Sequence, residues 1–157
     1  MINFIGTYEY KVDEKGRFPV HKMFRDELHP KESVFAMVPW VGGCLAMFPL
    51  ADMKEFQARF RGDQSLASRE ARLFQLKVMA GASVVEPDAQ GRVTLNQAQL
   101  AHAGLDKGVS VTLVGHFNRI EVWRSDRLKQ ELENVNETDF ERFAQIYFQP
   151  SANGTTA

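Results

Sequence analysis

Apolar and polar side chains alternate along Thr7-Tyr8-Glu9-Tyr10-Lys11-Val12, the period-two pattern of a half-buried strand. Asp13 and Gly16 then stand at tight-turn spacing, because glycine tolerates positive φ and aspartate bonds nearby backbone amides. Phe18-Pro19-Val20 predicts a short returning strand, with Pro19 at an edge or at the strand's end since it has no N–H to donate. His21 to Leu28 predicts a brief helix. Ser33 to Pro39 and Cys44 to Phe48 predict a hairpin turning at Gly42-Gly43, and a helix follows from near Leu50. The same order then recurs. A strand over residues 82–85 leads to a turn at Asp88, a short strand Val93-Thr94-Leu95 and a helix over Asn96 to Ala103. Val109 to Gly115 and Arg119 to Trp123 predict a second hairpin, and a helix starts near Ser125, with Ser125 as N-cap and Asp126 in its first turn. Between the two series, Ser68 to Ala80 spaces Ala71, Phe74, Leu76, Val78 and Met79 as a helix does. Thr138 to Phe148 predicts a last helix, capped by Thr138 with Glu141 three residues on, and Ser151 to Ala157 predicts a disordered end.

The recurrence is a duplication. Asp13-Glu14-Lys15-Gly16-Arg17 matches Asp88-Ala89-Gln90-Gly91-Arg92 at an offset of 75 residues. Without a gap, the same offset pairs Val34 with Val109, Ala36 with Val111, Val38 with Leu113, Leu45 with Ile120 and Met47 with Val122. One copy is too small to bury much core, so the two copies are expected to pack on each other. The expected organisation is α+β: a first copy over 4–60, a helical linker over 61–80, a second copy over 81–134, and a C-terminal helix and tail over 135–157.

The two D-x-x-G-R turns carry the most distinctive chemistry. Glycine lets a backbone approach another chain closely, and arginine offers a planar fork suited to phosphate or to a guanine edge. Lys15 and Gln90, just before each glycine, add a cation and an amide. The plainer alternative is that Asp13 pairs with Arg17, and Asp88 with Arg92, only to pin each turn; surface pairs of this kind are common and weak. The expected division is that Asp13, Gly16, Asp88 and Gly91 build the turns while the arginines make contacts.

Composition changes this picture little. The fractions of 44% hydrophobic and 25% charged residues are those of a globular chain. The N-terminus lacks a secretory layout, no apolar run is long enough to span a bilayer, and a lone Cys44 fits a reducing cytoplasm. A net charge of −1 is unusual for a nucleic-acid binder, but it is unevenly spread. Gln57 to Ala80 carries Arg59, Arg61, Arg69, Arg72 and Lys77 against Asp63 and Glu70, whereas Glu121 to Arg142 is rich in acids. His21, His29, His102 and His116 form no paired-ligand spacing with Cys44, and no nucleotide-binding or hydrolase signature is present, so neither a metal nor a cofactor is expected. Two alternatives stay open: a hydrolase using the Asp-Arg turns, and an interaction module using the phenylalanine-rich helices around Phe56, Phe60, Phe74, Phe140 and Phe143.

At these residues the chain resembles the MraZ family, of the AbrB/SpoVT-like swapped-hairpin superfamily. The similarity rests on the paired D-x-x-G-R turns, Gly43-Cys44-Leu45 before Phe48-Pro49, Ala103-Gly104-Leu105, and Leu113-Val114-Gly115 followed by Ile120-Glu121-Val122-Trp123, and runs from Phe4 to about Leu132. Pro19 stands where the family has an apolar residue, His21 where it has proline, and a tryptophan is missing around Met53. The resemblance implies two tandem swapped-hairpin repeats forming one pseudo-symmetric β-barrel-like unit with additional helices. It also implies a cytoplasmic, nucleoid-associated regulator that binds short direct repeats in the promoter of the division and cell-wall gene cluster. The protein would act as a ring of eight or more subunits, without a membrane partner. The implied DNA contacts are Lys15, Arg17, Arg92 and Gln90, with Lys22 and Arg25 flanking the first turn and reaching backbone phosphates.

Overall fold

The computed structural model describes residues 2–28, 32–61 and 68–148. His29, Asp63, the middle of the expected linker and the Ser151 to Ala157 tail lie outside the described residues. Among the described residues the chain is α+β, with six α-helices and two antiparallel sheets. In chain order the elements are β1 (Thr7–Lys11), β2 (Arg17–Pro19), α1 (Lys22–Asp26), β3 (Phe35–Trp40), β4 (Cys44–Pro49), α2 (Met53–Arg61), α3 (Arg69–Ala80), β5 (Ser83–Val85), β6 (Arg92–Thr94), α4 (Gln97–Ala103), β7 (Ser110–His116), β8 (Arg119–Arg124), α5 (Ser125–Glu133) and α6 (Glu137–Phe148). A single 3-10 turn, Leu50–Asp52, precedes α2. Contacts divide the chain into two compact units, one ending at Ser125 and one starting at Asp126.

The large sheet has the order β1-β7-β8-β4-β3-β5, and the small one pairs β2 with β6. This corrects one expectation. The short strand after each turn does not return onto its own lead-in strand. Arg17–Pro19 pairs with Arg92–Thr94, with Phe18 opposite Val93. Likewise β1 pairs with β7 and β5 with β3, so each lead-in strand joins the hairpin of the other half. The physical reason is burial. A three-residue strand carries one inward side chain, and side chains alternate across a ribbon. Pairing the two short strands buries Phe18 and Val93 together, with exposures of 0% and 1%.

Positions 75 residues apart therefore meet in both sheets: Phe18 faces Val93 in the small one, and Ala46 faces Glu121 in the large one. The central core is continuous, with Phe4, Phe24, Phe35, Met37, Met47, Leu105, Leu113 and Ile120 all buried. Pro19 ends its strand as expected.

The helix termini refine the expected caps. Asn96 caps α4 in a reciprocal capping box with Gln99, and Ser68 caps α3. Ser125 is not a cap but the first residue of α5, because its hydroxyl is committed to Thr112 Oγ1 at 2.7 Å. Thr138 does not cap α6 either. Asn136 Oδ1 accepts the Asp139 N–H at 2.7 Å, so the helix starts one residue before Thr138.

Gln99 is fully buried. Its Nε2 donates toward Met37 O at 3.2 Å, Gly81 O at 3.0 Å and Ser83 Oγ at 2.8 Å, while its Oε1 accepts the Asn96 N–H. Phe24, 75 residues earlier, is equally buried and apolar, so the shape of the site does not demand an amide. The hydrogen bonds do. Gln99→Leu is expected to destabilise the chain by about 3 kcal/mol, since buried acceptors left unpaired cost roughly 1–3 kcal/mol each. Urea unfolding checks this; a loss below about 0.5 kcal/mol, the scale of a neutral surface change, would contradict it.

Candidate functional site

The two turns are built alike, atom for atom. In the first, Asp13 N–H donates to Arg17 O at 2.9 Å and Gly16 N–H to Asp13 O at 3.1 Å. Asp13 Oδ1 accepts the N–H groups of Lys15 and Arg17, and Oδ2 accepts Arg17 Nε at 2.7 Å. In the second, Asp88 N–H donates to Arg92 O at 2.8 Å and Gly91 N–H to Asp88 O at 2.9 Å. Asp88 Oδ1 accepts the N–H groups of Gln90 and Arg92, and Oδ2 accepts Arg92 Nε at 3.1 Å. Both glycines have positive φ, +73° and +78°, a conformation that side chains disfavour. The plain and the functional accounts of the Asp–Arg pairs are thus compatible. Each aspartate takes its arginine through Nε, so neither pairing uses the two terminal nitrogens of the guanidinium.

The turns also lock to each other. Val20 N–H donates to Gly91 O at 2.8 Å, and Leu95 N–H donates to Gly16 O at 3.0 Å. With Phe18 opposite Val93, Arg17 and Arg92 become diagonal partners on one face of the ribbon, a placement that separates their Cβ atoms by about 7–8 Å. Arg92 Nη1 lies 4.0 Å from Asp13 Oδ2, and Arg92 Nη2 donates to Gln90 Oε1 at 2.7 Å. The structure therefore brings Asp13, Arg17, Gln90 and Arg92 into one cluster, with Lys15 and Gln90 exposed on the turns and both arginines half-buried.

Lys22 and Arg25 separate from each other. Lys22 is exposed and pairs with Asp26 at 3.6 Å. Arg25 does not flank the first turn as expected. Its Nε donates to Val20 O at 3.0 Å, and its guanidinium covers Gly91 of the second turn, where a Cβ would meet its Cζ at 2.9 Å. The exchange of strands between the halves carries it there. At the matching place on the first turn, Leu100 covers Gly16. Leu100 stands 75 residues after Arg25, so the repeat offset held a signal for this contact, but only once the pairing of β2 with β6 was known.

Both turn aspartates titrate low. At Asp13, desolvation raises the pKa but is outweighed by the Arg17 N–H, the Arg17 guanidinium and the Lys15 N–H. At Asp88 the Arg92 N–H is the leading cause, helped by Gln90 N–H and the Arg92 side chain against desolvation. A depressed carboxylate favours the closed turn above its unfolded value of about 3.9, and loses that contribution as pH falls through the lower folded value. The amide resonances of Lys15, Arg17, Gln90 and Arg92 are therefore expected to hold from pH 7 to 5 and to move only below about pH 4. A nuclear magnetic resonance titration checks this; movement between pH 7 and 6 would contradict it.

The remaining titratable groups serve the scaffold. His21 caps α1 and stacks on Tyr8 at 3.5 Å, and His102 bonds Trp40 O. Glu121 gathers His116, Arg119 and Trp123. Desolvation raises the Glu121 pKa, but these three donors outweigh it and hold it low. Burial and the neighbouring Glu121 push the Cys44 thiol up to about 12, which makes it a poor nucleophile. Among the described residues, no group of three or more His, Cys, Asp and Glu side chains gathers as a metal would require, and no helix is long and apolar enough to cross a membrane.

A rigid two-sheet frame that presents paired, carboxylate-oriented arginine forks on one face is the frame of an anion-binding protein. The family model described as "MraZ protein, putative antitoxin-like" matches residues 78–149. The chain is 34% identical over 137 residues to the transcriptional regulator MraZ of Clavibacter michiganensis subsp. michiganensis, covering 87% of this chain and 91% of that protein. It is 34% identical to the MraZ of Lactobacillus gasseri, over 85% and 90% of the two chains. With the MraZ of Lachnoclostridium phytofermentans it shares 35% identity, over 79% and 83%. The chain belongs to the MraZ family of transcriptional regulators, a non-enzymatic family.

Proposed function

We propose that this chain binds promoter DNA sequence-specifically, through its two arginine-bearing turns acting as one site. The observation that carries this is the Phe18–Val93 pairing, which sets Arg17 and Arg92 diagonally on one face of a two-stranded ribbon. A major groove about 12 Å wide admits such a ribbon. Asp13 and Asp88 hold the forks by Nε, and the terminal nitrogens of Arg17 and Arg92 meet guanine edges or phosphates. Lys15 supplies a phosphate contact, Gln90 an amide beside Arg92, and Arg25 a further cation at the second turn.

The exchange of lead-in strands between residues 4–60 and 81–134 supports a pair of AbrB-like swapped-hairpin repeats closing into one pseudo-symmetric unit. In this account the linker over 61–80 and the C-terminal segment over 135–157 are additions to that unit. The protein works in the cytoplasm, at the nucleoid. Its targets are short direct repeats upstream of the division and cell-wall gene cluster, and a ring of eight or more copies engages several repeats together. Linked contacts of this kind raise avidity without any new contact.

Fluorescence anisotropy tests the proposal, using a duplex of the direct repeats upstream of the gene and a scrambled duplex of equal composition. The repeats are expected to bind at least about 10³-fold more tightly, with affinity falling steeply as salt rises. Equal affinity for both duplexes would overturn it.

A further inference from the structure

Two apolar faces lie open in this chain, and their charges are opposite. The first is on α3, whose inner side buries Val78 and packs Phe74 against Trp40. Its outer side exposes Leu73, Leu76 and Met79 at helical spacing, interleaved with exposed Arg69 and Arg72. Across Arg69–Ala80 there are three basic residues and one acid. The second face is a groove of about 500 Å³ between α5 and α6, lined by Leu132, Val135, Phe140, Phe143 and Tyr147, with Glu137 at its lip. Tyr147 is 79% exposed and Phe148 86%, unusual values for aromatic side chains in a folded helix. Residues 131–141 carry five acids and no lysine or arginine.

We propose that α3 of one copy seats its Leu73–Leu76–Met79 row in the α5–α6 groove of a second copy. Arg69 and Arg72 then meet Glu137 and Glu141 along the rim. The mode is that of an amphipathic helix laid into an apolar groove, with apolar anchors giving affinity and charges giving register. It deepens the self-assembly proposed above, on which it rests, by naming the two surfaces. Because the inserted face and the receiving groove are different parts of the chain, the contact is head-to-tail. Each copy gives one helix and receives another, which is how a closed ring grows.

Native mass spectrometry of the full chain tests this with two variants at exposed positions, Leu73→Asp/Leu76→Asp and Phe140→Asp/Tyr147→Asp. The wild-type chain is expected as a species well above a dimer of the 17.8 kDa chain. Each variant alone is expected as a monomer with an unchanged thermal melt. An equimolar mixture retains one working helix and one working groove, so it is expected to give a 1:1 dimer and nothing larger. As an independent pair, Arg69→Glu/Arg72→Glu is expected to weaken assembly, and adding Glu137→Lys/Glu141→Lys in the same chain to restore it. If the variants keep the wild-type assembly, these surfaces are not the interface, while self-assembly stands. If they are monomers whose mixture stays monomeric, the head-to-tail contact is overturned and the faces serve another partner. A monomeric wild-type chain would remove the assembly proposal itself.

Discussion

The Arg17→Ala/Arg92→Ala double variant is expected to bind the upstream repeats about 10²- to 10⁴-fold more weakly than the wild-type chain, since each bidentate arginine contact contributes roughly 1–3 kcal/mol of recognition. The fold is expected to persist. The arginines' partners Asp13 and Asp88 are partly exposed, and the turns remain closed by backbone bonds and by the Lys15 and Gln90 N–H groups on the carboxylates. Exposed ion pairs contribute little to stability, so the melting temperature should change by only a few degrees while binding collapses. Arg17→Lys separates charge from geometry. It keeps the cation but loses the fork, so it is expected to retain salt-dependent, non-specific binding and lose preference for the repeats. Anisotropy titrations beside thermal melts check both variants. Wild-type affinity in the double alanine variant would refute the assignment of the turns.

The second large effect is on stability. Phe18→Ala is expected to cost about 3–5 kcal/mol, the usual range for emptying a buried aromatic site, out of a total of about 5–15 kcal/mol for a domain. Phe18 is fully buried in a strand of only three residues, and that strand pairs solely with Arg92–Thr94. Loosening β2 therefore releases Gly91 O from Val20 and Gly16 O from Leu95 together. Both turns should lose protection from hydrogen exchange at once, although only one was altered. Val93→Ala, a smaller deletion at the facing position, is expected to give the same pattern at lower cost. Exchange that rises in the first turn alone would show that the two turns are not one unit.

That coupling is the part of the site the sequence did not disclose. Alternation, turn residues and the 75-residue offset located most strands and helices to within about two residues, because those signals are local. They do not choose a strand's partner. In a duplicated chain the lead-in strand meets the same apolar pattern in its own half and in the other half, so periodicity cannot distinguish them. The choice falls to burial, and it becomes visible only when Phe18 and Val93 are seen to share one interior site. Arg25 follows from the same exchange. Its closeness in sequence to the first turn suggested a place there, whereas the crossed pairing carries it to Gly91. Gln99 was hidden for another reason: its acceptors, Met37 O, Gly81 O and Ser83 Oγ, come from three distant segments. The end of α6 was misplaced because Thr138 and Asn136 both make good caps, and the choice rests on the side-chain contact between Asn136 and Asp139.

The most direct measurement is photo-crosslinking from the turns themselves. A photoreactive side chain is placed at Lys15 in one variant and at Gln90 in another, both exposed positions, and each is irradiated on a duplex carrying the upstream repeats. The account predicts crosslinks from both positions to nucleotides within the same repeat, and none from a control at Glu133. DNA that binds with wild-type affinity yet crosslinks from neither Lys15 nor Gln90 would contradict it.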